Sequence, residues 1–295
     1  MVAFVFLLAL GLNGFAQTAA TVQGPVIVGF LDDDRMEMAN WKPGISHIRL
    51  IRPAFEKNAS GWHPVKPESL TPRMSWTVAF DGKKLGEIEG RMDSQPPSVT
   101  ETVLTAPNLL PTVGTPSSAF AGLLAMGPTQ IRRPLVLVSK PNFKDPDGWK
   151  RLKITPDEVV SAVRSAFRHD FQHVVRCKDE EVVERDWKFP DSSLRLVTVY
   201  GSAKHSFLVE TELSAGNCGY VDDPNDPFSD PWFYVSENGV ARRIGAFMTL
   251  LDAGDYDADG RSEVVFFLSQ PEDTDGFVLF DATMHEQARL TWSYH

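Results

Sequence analysis

Apolar residues recur at every second position through much of this chain, and this alternation limits its fold more than any other feature. Successive side chains of a β-strand point to opposite faces of a sheet, so the pattern predicts strands with one buried face. Three segments predict hairpins, namely 75–91, 193–213 and 232–245. The first reverses at Asp81-Gly82 and the third at Asn238-Gly239, dipeptides that favour tight turns. Further strands are predicted within 25–33, 45–55, 134–140 and 277–295. The chain is therefore expected to be mainly β, built from antiparallel hairpins.

One segment has helical spacing instead. Thr155-Pro156-Asp157-Glu158 is typical of a capping box, with proline at the first helical position and Glu158 at the third. The apolar residues that share one face of the helix are Val159, Val160, Val163, Ala166, Phe167 and Phe171. The sequence predicts one amphipathic helix over about 156–171, packed on a sheet.

The composition changes between 96 and 130, where proline, threonine, serine and glycine are frequent. Such a composition is typical of a surface loop or linker. It separates a predicted N-terminal β region (17–95) from a C-terminal β region (131–295) that contains the helix. No repeat of about 40–50 residues is evident, so a β-propeller-like and a β-sandwich arrangement both stay open for the C-terminal region.

Residues 1–16 have the pattern of a signal peptide. Residues 2–12 are apolar but too few to span a bilayer, and Gly14 and Ala16 are small residues before a cleavage point at Gln17. A buried N-terminal strand or helix is the alternative. No later segment is long and apolar enough to span a membrane, so we expect a secreted or periplasmic protein.

The chain has only two cysteines, Cys177 and Cys218. In an oxidising compartment they could pair and close a loop of about 40 residues. Two buried thiols are the alternative.

An acidic stretch that starts at residue 255 is the most informative local motif. It has the pattern D-x-D-x-D-G-x-x-E, with carboxylates at Asp255, Asp257, Asp259 and Glu263. Alternate acids in a tight turn can point at one centre, Gly260 lets the backbone reverse, and the carbonyl of Arg261 would face the same centre. Oxygen ligands in this number suit calcium, whereas softer metals prefer His or Cys. A solvated acidic turn is the alternative, but two carboxylates about 4 Å apart repel by about 4 kcal/mol at an effective dielectric of ~20.

The residues on either side show which calcium loop this motif resembles. An EF-hand has flanking helices and an acid at its twelfth position, whereas here that position is Phe266 within an apolar β run. A nine-residue acidic loop that enters a strand resembles the FG-GAP or VCBS repeat of integrin-like β-propellers. The matching positions are Asp255, Asp257, Asp259, Gly260 and Glu263. The resemblance covers residues 248–295, in one copy, and implies a calcium-binding protein with a binding or surface-structural role.

Other polar segments carry weaker signals. The acidic stretches 221–231 and 143–150 are interpreted as a solvated loop and a turn. His169 and His173 have the spacing of a zinc-protease helix but lack a third ligand, so they are interpreted as solvated histidines at a helix end.

Three hypotheses about function follow. The first is a secreted calcium-binding β-protein with a binding or surface-structural role, whose partner is unknown and for which a surface protein or a glycan is a candidate. The second is a secreted hydrolase of glycans or similar polymers, with calcium in a structural role, and the third is a periplasmic assembly component. The net charge of −10 disfavours binding to nucleic acid or to an anionic membrane. No local catalytic motif is present, so no catalytic residue is assigned.

Overall fold

The computed structural model describes residues 24–33, 49–92, 102–104, 133–171, 176–177, 190–213, 218–219, 231–270 and 274–293. The predicted signal peptide (1–16), the acidic residues 221–230 and His173 lie outside the described residues, as does most of the predicted linker (96–130).

The first sheet contains seven strands. In chain order they are β1 (Val26–Asp33), β2 (Arg49–Asn58), β3 (Gly61–Pro64), β4 (Arg73–Phe80), β5 (Lys83–Met92), β6 (Thr102–Leu104) and β7 (Leu135–Val138). Their order in the sheet is β1-β7-β4-β5-β6-β2-β3, and β1 also pairs with β2. β6 lies in the predicted linker and β7 in the predicted C-terminal region. The sheet therefore combines strands from the predicted N-terminal region, the linker and the C-terminal region.

The remaining elements form two further sheets, one small ladder and one α-helix. They are β8 (Lys150–Arg151), α1 (Asp157–Asp170), β9 (Arg176–Cys177), β10 (Leu194–Gly201), β11 (Phe207–Leu213), β12 (Cys218–Gly219), β13 (Trp232–Val235), β14 (Ala241–Gly245), β15 (Met248–Gly254), β16 (Glu263–Gln270), β17 (Thr274–Phe280) and β18 (Glu286–Ser293). The second sheet has the order β14-β13-β11-β10-β8, the third is β15-β16-β17-β18, and β9 pairs with β12. Short 3₁₀ helices span Pro67–Ser69 and Asp191–Ser193.

The third sheet lies between the other two, and its strands β15, β16 and β17 are buried on both faces. On one face Phe277 stacks on Phe30 of the first sheet, with ring centroids 3.7 Å apart. On the other face Phe266 meets the edge of Trp232 of the second sheet at 5.0 Å. A strand that is covered on both faces has no polar face, which explains the uninterrupted apolar run in β16.

Helix α1 covers the outer face of the second sheet. Val159, Val163 and Phe167 are buried there against a cluster that includes Phe233. The predicted capping box is wrong, because the helix begins one residue later than the motif requires. Pro156 has extended backbone angles (φ −62°, ψ 143°) and occupies the N-cap position, where no side chain caps the helix.

The prediction of a mainly β fold with antiparallel hairpins and one helix is confirmed. Every strand pairing in the described ranges is antiparallel. The packed sheets form a β-sandwich-like arrangement. The turn of the first predicted hairpin is Asp81-Gly82, with φ of 50° and 68°, the left-handed values of a type I′ turn.

Candidate metal centre

The acidic loop connects two antiparallel neighbours of the third sheet. Gly254, the last residue of β15, pairs directly with Glu263, the first residue of β16. The loop between them therefore starts and ends at the same place. This is why Asp255 and Glu263, which are eight positions apart in the sequence, lie side by side.

The loop backbone is folded tightly around its own carboxylates. Ala258 (φ 66°) and Gly260 (φ 88°) adopt left-handed conformations that reverse the chain, as predicted for Gly260. The two Asp255 oxygens accept hydrogen bonds from the backbone N–H groups of Asp259 (2.9 Å) and Gly260 (3.0 Å). Across the loop, the N–H of Tyr256 donates to Glu263 Oε2 at 2.9 Å. These bonds hold the acidic side chains in a defined position.

Three of the predicted ligands come together. Asp255, Asp257 and Glu263 each offer one carboxylate oxygen, and these oxygens all lie within 4.8 Å of one another. Asp255 and Glu263 are only 5% and 3% exposed. This buried acidic triad could hold a metal ion.

The other two predicted ligands lie outside the triad. Asp259 is exposed, and its Oδ1 accepts a hydrogen bond from the N–H of Arg261 at 2.9 Å. Arg261 is also exposed. Participation of the Asp259 carboxylate and of the Arg261 carbonyl in a metal site stays a prediction.

Two ammonium groups from other parts of the chain contact Asp257. Lys57 of β2 donates to Asp257 Oδ2 in an ion pair that links the first and third sheets. Lys140, which follows β7, places its Nζ 3.3 Å from the backbone carbonyl oxygen of Asp257. No local sequence pattern indicates either contact, since Lys57 and Lys140 are 200 and 117 positions away from Asp257.

Burial and the neighbouring negative charges shift the pKa of Glu263. Burial, reinforced by the negative charges of Asp257 and Asp259, raises the pKa of Glu263 to about 8, while the Tyr256 N–H and Lys57 act in the opposite direction. A cation beside Glu263 would favour its ionised form.

The segment 143–150 is joined directly to the acidic loop. It forms a bend, as predicted, in which Asp145 accepts hydrogen bonds from the backbone N–H groups of Asp147 (3.1 Å), Gly148 (2.9 Å) and Trp149 (2.6 Å). Ser262 Oγ donates to Asp145 Oδ1 at 2.5 Å, and the N–H of Ser262 donates to Asp147 Oδ2 at 3.2 Å. The bend therefore supports the end of the loop. Periodicity in the sequence could not reveal these two contacts, because Ser262 is 117 positions from Asp145 and 115 positions from Asp147.

An open groove of about 800 Å³ lies between α1 and the β13–β14 turn. Its polar lining includes Ser165, His169, Asp170, Arg242 and Arg243. The His169 side chain is 81% exposed, as expected for a solvated histidine at a helix end. Among the described residues that line this groove, Asp170 is the one carboxylate.

Comparisons of the chain with protein-family models, with curated proteins and with solved structures found no match. Within the described ranges, no helix has the length and apolar character needed to cross a membrane.

Proposed function

We propose that this protein is a secreted or periplasmic calcium-binding β-protein whose ion site is the acidic loop 255–263. The observation that carries the proposal is the convergence of the Asp255, Asp257 and Glu263 oxygens within 4.8 Å of one another.

The chemistry of the ligands favours calcium. All three candidate side chains are carboxylates, and the loop offers no sulfur or imidazole. Calcium accepts six to eight oxygens in flexible geometry, so the triad would be completed by water, by the carbonyl of Arg261 or by Asp259. The hairpin setting, with a strand on each side, also supports the resemblance to an FG-GAP or VCBS loop and not to an EF-hand.

A binding or surface-structural role is the function that such a loop suggests, with a surface protein or a glycan as partner. Export rests on the apolar leader 1–16, and intact-mass analysis of the secreted protein tests it. A mature chain that begins at Gln17 is the expected result, and retention of residues 1–16 would contradict export. A hydrolase with a structural calcium ion is the second candidate, supported only by the combination of export and a calcium loop.

Thermal unfolding with and without calcium tests the ion site. Calcium at ~1 mM over a site with a Kd of ~0.1 mM stabilises the folded state by about 1.4 kcal/mol. For a chain of this size the melting temperature would rise by a few degrees, about 2–4 °C per kcal/mol at most. Magnesium should substitute poorly, because it requires a small and nearly octahedral set of ligands.

Asp257→Asn is the matched variant, because it removes one charge yet keeps an acceptor for the N–H of Asp259. It should lose the calcium response. Glu237→Gln, at an exposed position in the β13–β14 turn, removes one charge elsewhere and should respond like the wild type. An equal calcium response in wild type and Asp257→Asn would show that the loop is only an acidic turn.

A further inference from the structure

Lys57 belongs to one sheet and its ionic partner to another. The residue lies near the end of β2 in the first sheet, opposite Trp62 of β3. Its ammonium is 5.6 Å from the centroid of the Trp62 ring and donates to Asp257 Oδ2 in the loop of the third sheet. The acidic loop is thus attached to the first sheet through one side chain.

Both carboxylate oxygens of Asp257 are already engaged in this arrangement. Oδ2 accepts from Lys57, and Oδ1 accepts from the N–H of Asp259 at 3.0 Å. The side chain of Asp257 is only 4% exposed, whereas that of Lys57 is 32% exposed. A metal ion that binds the triad needs an oxygen of Asp257, and the lysine is the partner with access to solvent.

We propose that Lys57 is a tethered cation that competes with calcium for Asp257, so that ion binding and the ion pair between the sheets are alternatives. The inference rests on the proposed function, since it assigns a regulator to the same site. In the absence of calcium, the ammonium supplies the positive charge that the buried carboxylates require. When calcium binds, it takes over Asp257, and the repulsion between the two cations drives Lys57 towards solvent.

The electrostatic surroundings of Lys57 support this role. Burial alone would lower the pKa of Lys57, but the hydrogen bond to Asp257 and the charges of Asp257, Glu263 and Asp259 outweigh it and raise the pKa. The ammonium is therefore attracted by three carboxylates of the loop and not by Asp257 alone. Lys140 differs, because its Nζ contacts the carbonyl oxygen of Asp257 and leaves the carboxylate free for other partners.

Calcium titration of the full-length protein by calorimetry tests the competition. Lys57→Met removes the ammonium but keeps an unbranched apolar stem beside Trp62. Loss of a competing ion pair of ordinary strength should lower the Kd for calcium about fivefold. Lys140→Met removes a neighbouring charge that does not occupy the carboxylate, so it should lower the Kd by a clearly smaller factor.

Amine labelling of the wild type provides a second measurement that requires no variant. Acylation of Lys57, quantified by peptide mass spectrometry, should become faster in saturating calcium than in chelator. Lys84, which pairs with Glu87 at 2.5 Å within β5, serves as the internal reference and should not change.

The outcomes distinguish failure of the competition from failure of the calcium site. If the wild type binds calcium, and Lys57→Met binds it no more tightly than Lys140→Met, the calcium site stands and the competition is wrong. Slower or unchanged labelling of Lys57 in calcium would also overturn the competition. Calcium binding by Lys57→Met but not by wild type would support a dominant competitor. If neither protein binds calcium at concentrations of about 10 mM, ten times the weakest extracellular sites, both proposals fail.

Discussion

The N–H of Gly82 donates a hydrogen bond of 3.0 Å to Asp252 Oδ1, which joins the β4–β5 turn of the first sheet to β15 of the third. Asp252 is 5% exposed, and within the described part of the chain its second oxygen has no hydrogen-bond partner. Burial raises the pKa of Asp252 to about 7, although the Gly82 N–H and the charge of Arg133 act in the opposite direction. The first and third sheets therefore meet at a carboxyl group that stays protonated to a higher pH than an ordinary aspartic acid.

Because of this raised pKa, we expect the contribution of Asp252 to the free energy of unfolding to fall as pH rises. The folded-state pKa of Asp252 is about 7 and the unfolded value is 3.8, so the folded protein binds the extra proton between these values. The stabilisation by that proton is complete below about pH 4 and is lost as pH rises to about 7, a change of about 4 kcal/mol. Asp252→Asn carries no titrating proton and keeps an acceptor for the Gly82 N–H.

The measurement is the free energy of unfolding of wild type and Asp252→Asn from pH 4 to 8 by denaturant titration. The difference between the two proteins should shift in favour of the variant as pH rises, and contributions from Glu263 cancel because both proteins contain it. Glu237→Gln should run parallel to the wild type. A difference that stays constant over this range would mean that Asp252 does not titrate between its two values.

Local patterns in the sequence are sufficient to predict the hairpins and the acidic loop that starts at Asp255. Turn dipeptides and alternation report on neighbours along the chain, and the structure confirms the turn at Asp81-Gly82 and the alternation in β11. Contacts such as Lys57 with Asp257 depend on how separate sheets pack, and no local pattern encodes that packing. The apolar run of β16 indicates a strand buried on both faces but does not say which sheets cover it.

Gly254 lies so close to Phe143 that the methyl group of an alanine at position 254 should not fit. A Cβ on Gly254 would lie 2.2 Å from two atoms of the Phe143 ring, which stacks on Tyr256 with centroids 5.6 Å apart. Gly254→Ala should therefore cost about 1–3 kcal/mol of stability through overpacking. Gly86→Ala, in β5, meets no heavy atom within 4 Å and should change stability by no more than about 0.5 kcal/mol, in either direction. Chemical denaturation of both variants is the measurement, and equal stabilities would contradict the assigned contact.

The hydrogen bond of the Trp232 indole predicts that replacing Trp232 by Phe costs more stability than the loss of side-chain volume alone. Trp232 is buried, and its Nε1 donates to the backbone carbonyl of Met248 at 2.8 Å, which connects the second and third sheets. Trp76 is buried equally well, but its Nε1 has no hydrogen-bond partner among the described residues. Both Trp→Phe substitutions remove similar volume, so Trp232→Phe should cost about 1–3 kcal/mol more than Trp76→Phe, because only it leaves a buried carbonyl unpaired. Equal costs in urea denaturation would show that the hydrogen bond is unimportant.

The last prediction concerns the two cysteines. Cys177 of β9 and Cys218 of β12 are directly opposite each other in an antiparallel ladder. Opposite residues in such a ladder have Cα atoms about 4.5–5.5 Å apart, which falls within the range of about 4.4–6.8 Å that a disulfide spans. We therefore expect the predicted bond to form when the protein is exported and oxidised. A bond that closes a loop of about 40 residues stabilises the folded state by roughly 3–4 kcal/mol on the chain-entropy model.

Alkylation followed by mass spectrometry should find no reactive thiol in the native protein until it is reduced. The double variant Cys177→Ser/Cys218→Ser should have the stability of the reduced wild type and not that of the oxidised one. Two thiols that react in the oxidised, denatured protein without reductant would rule out the bond.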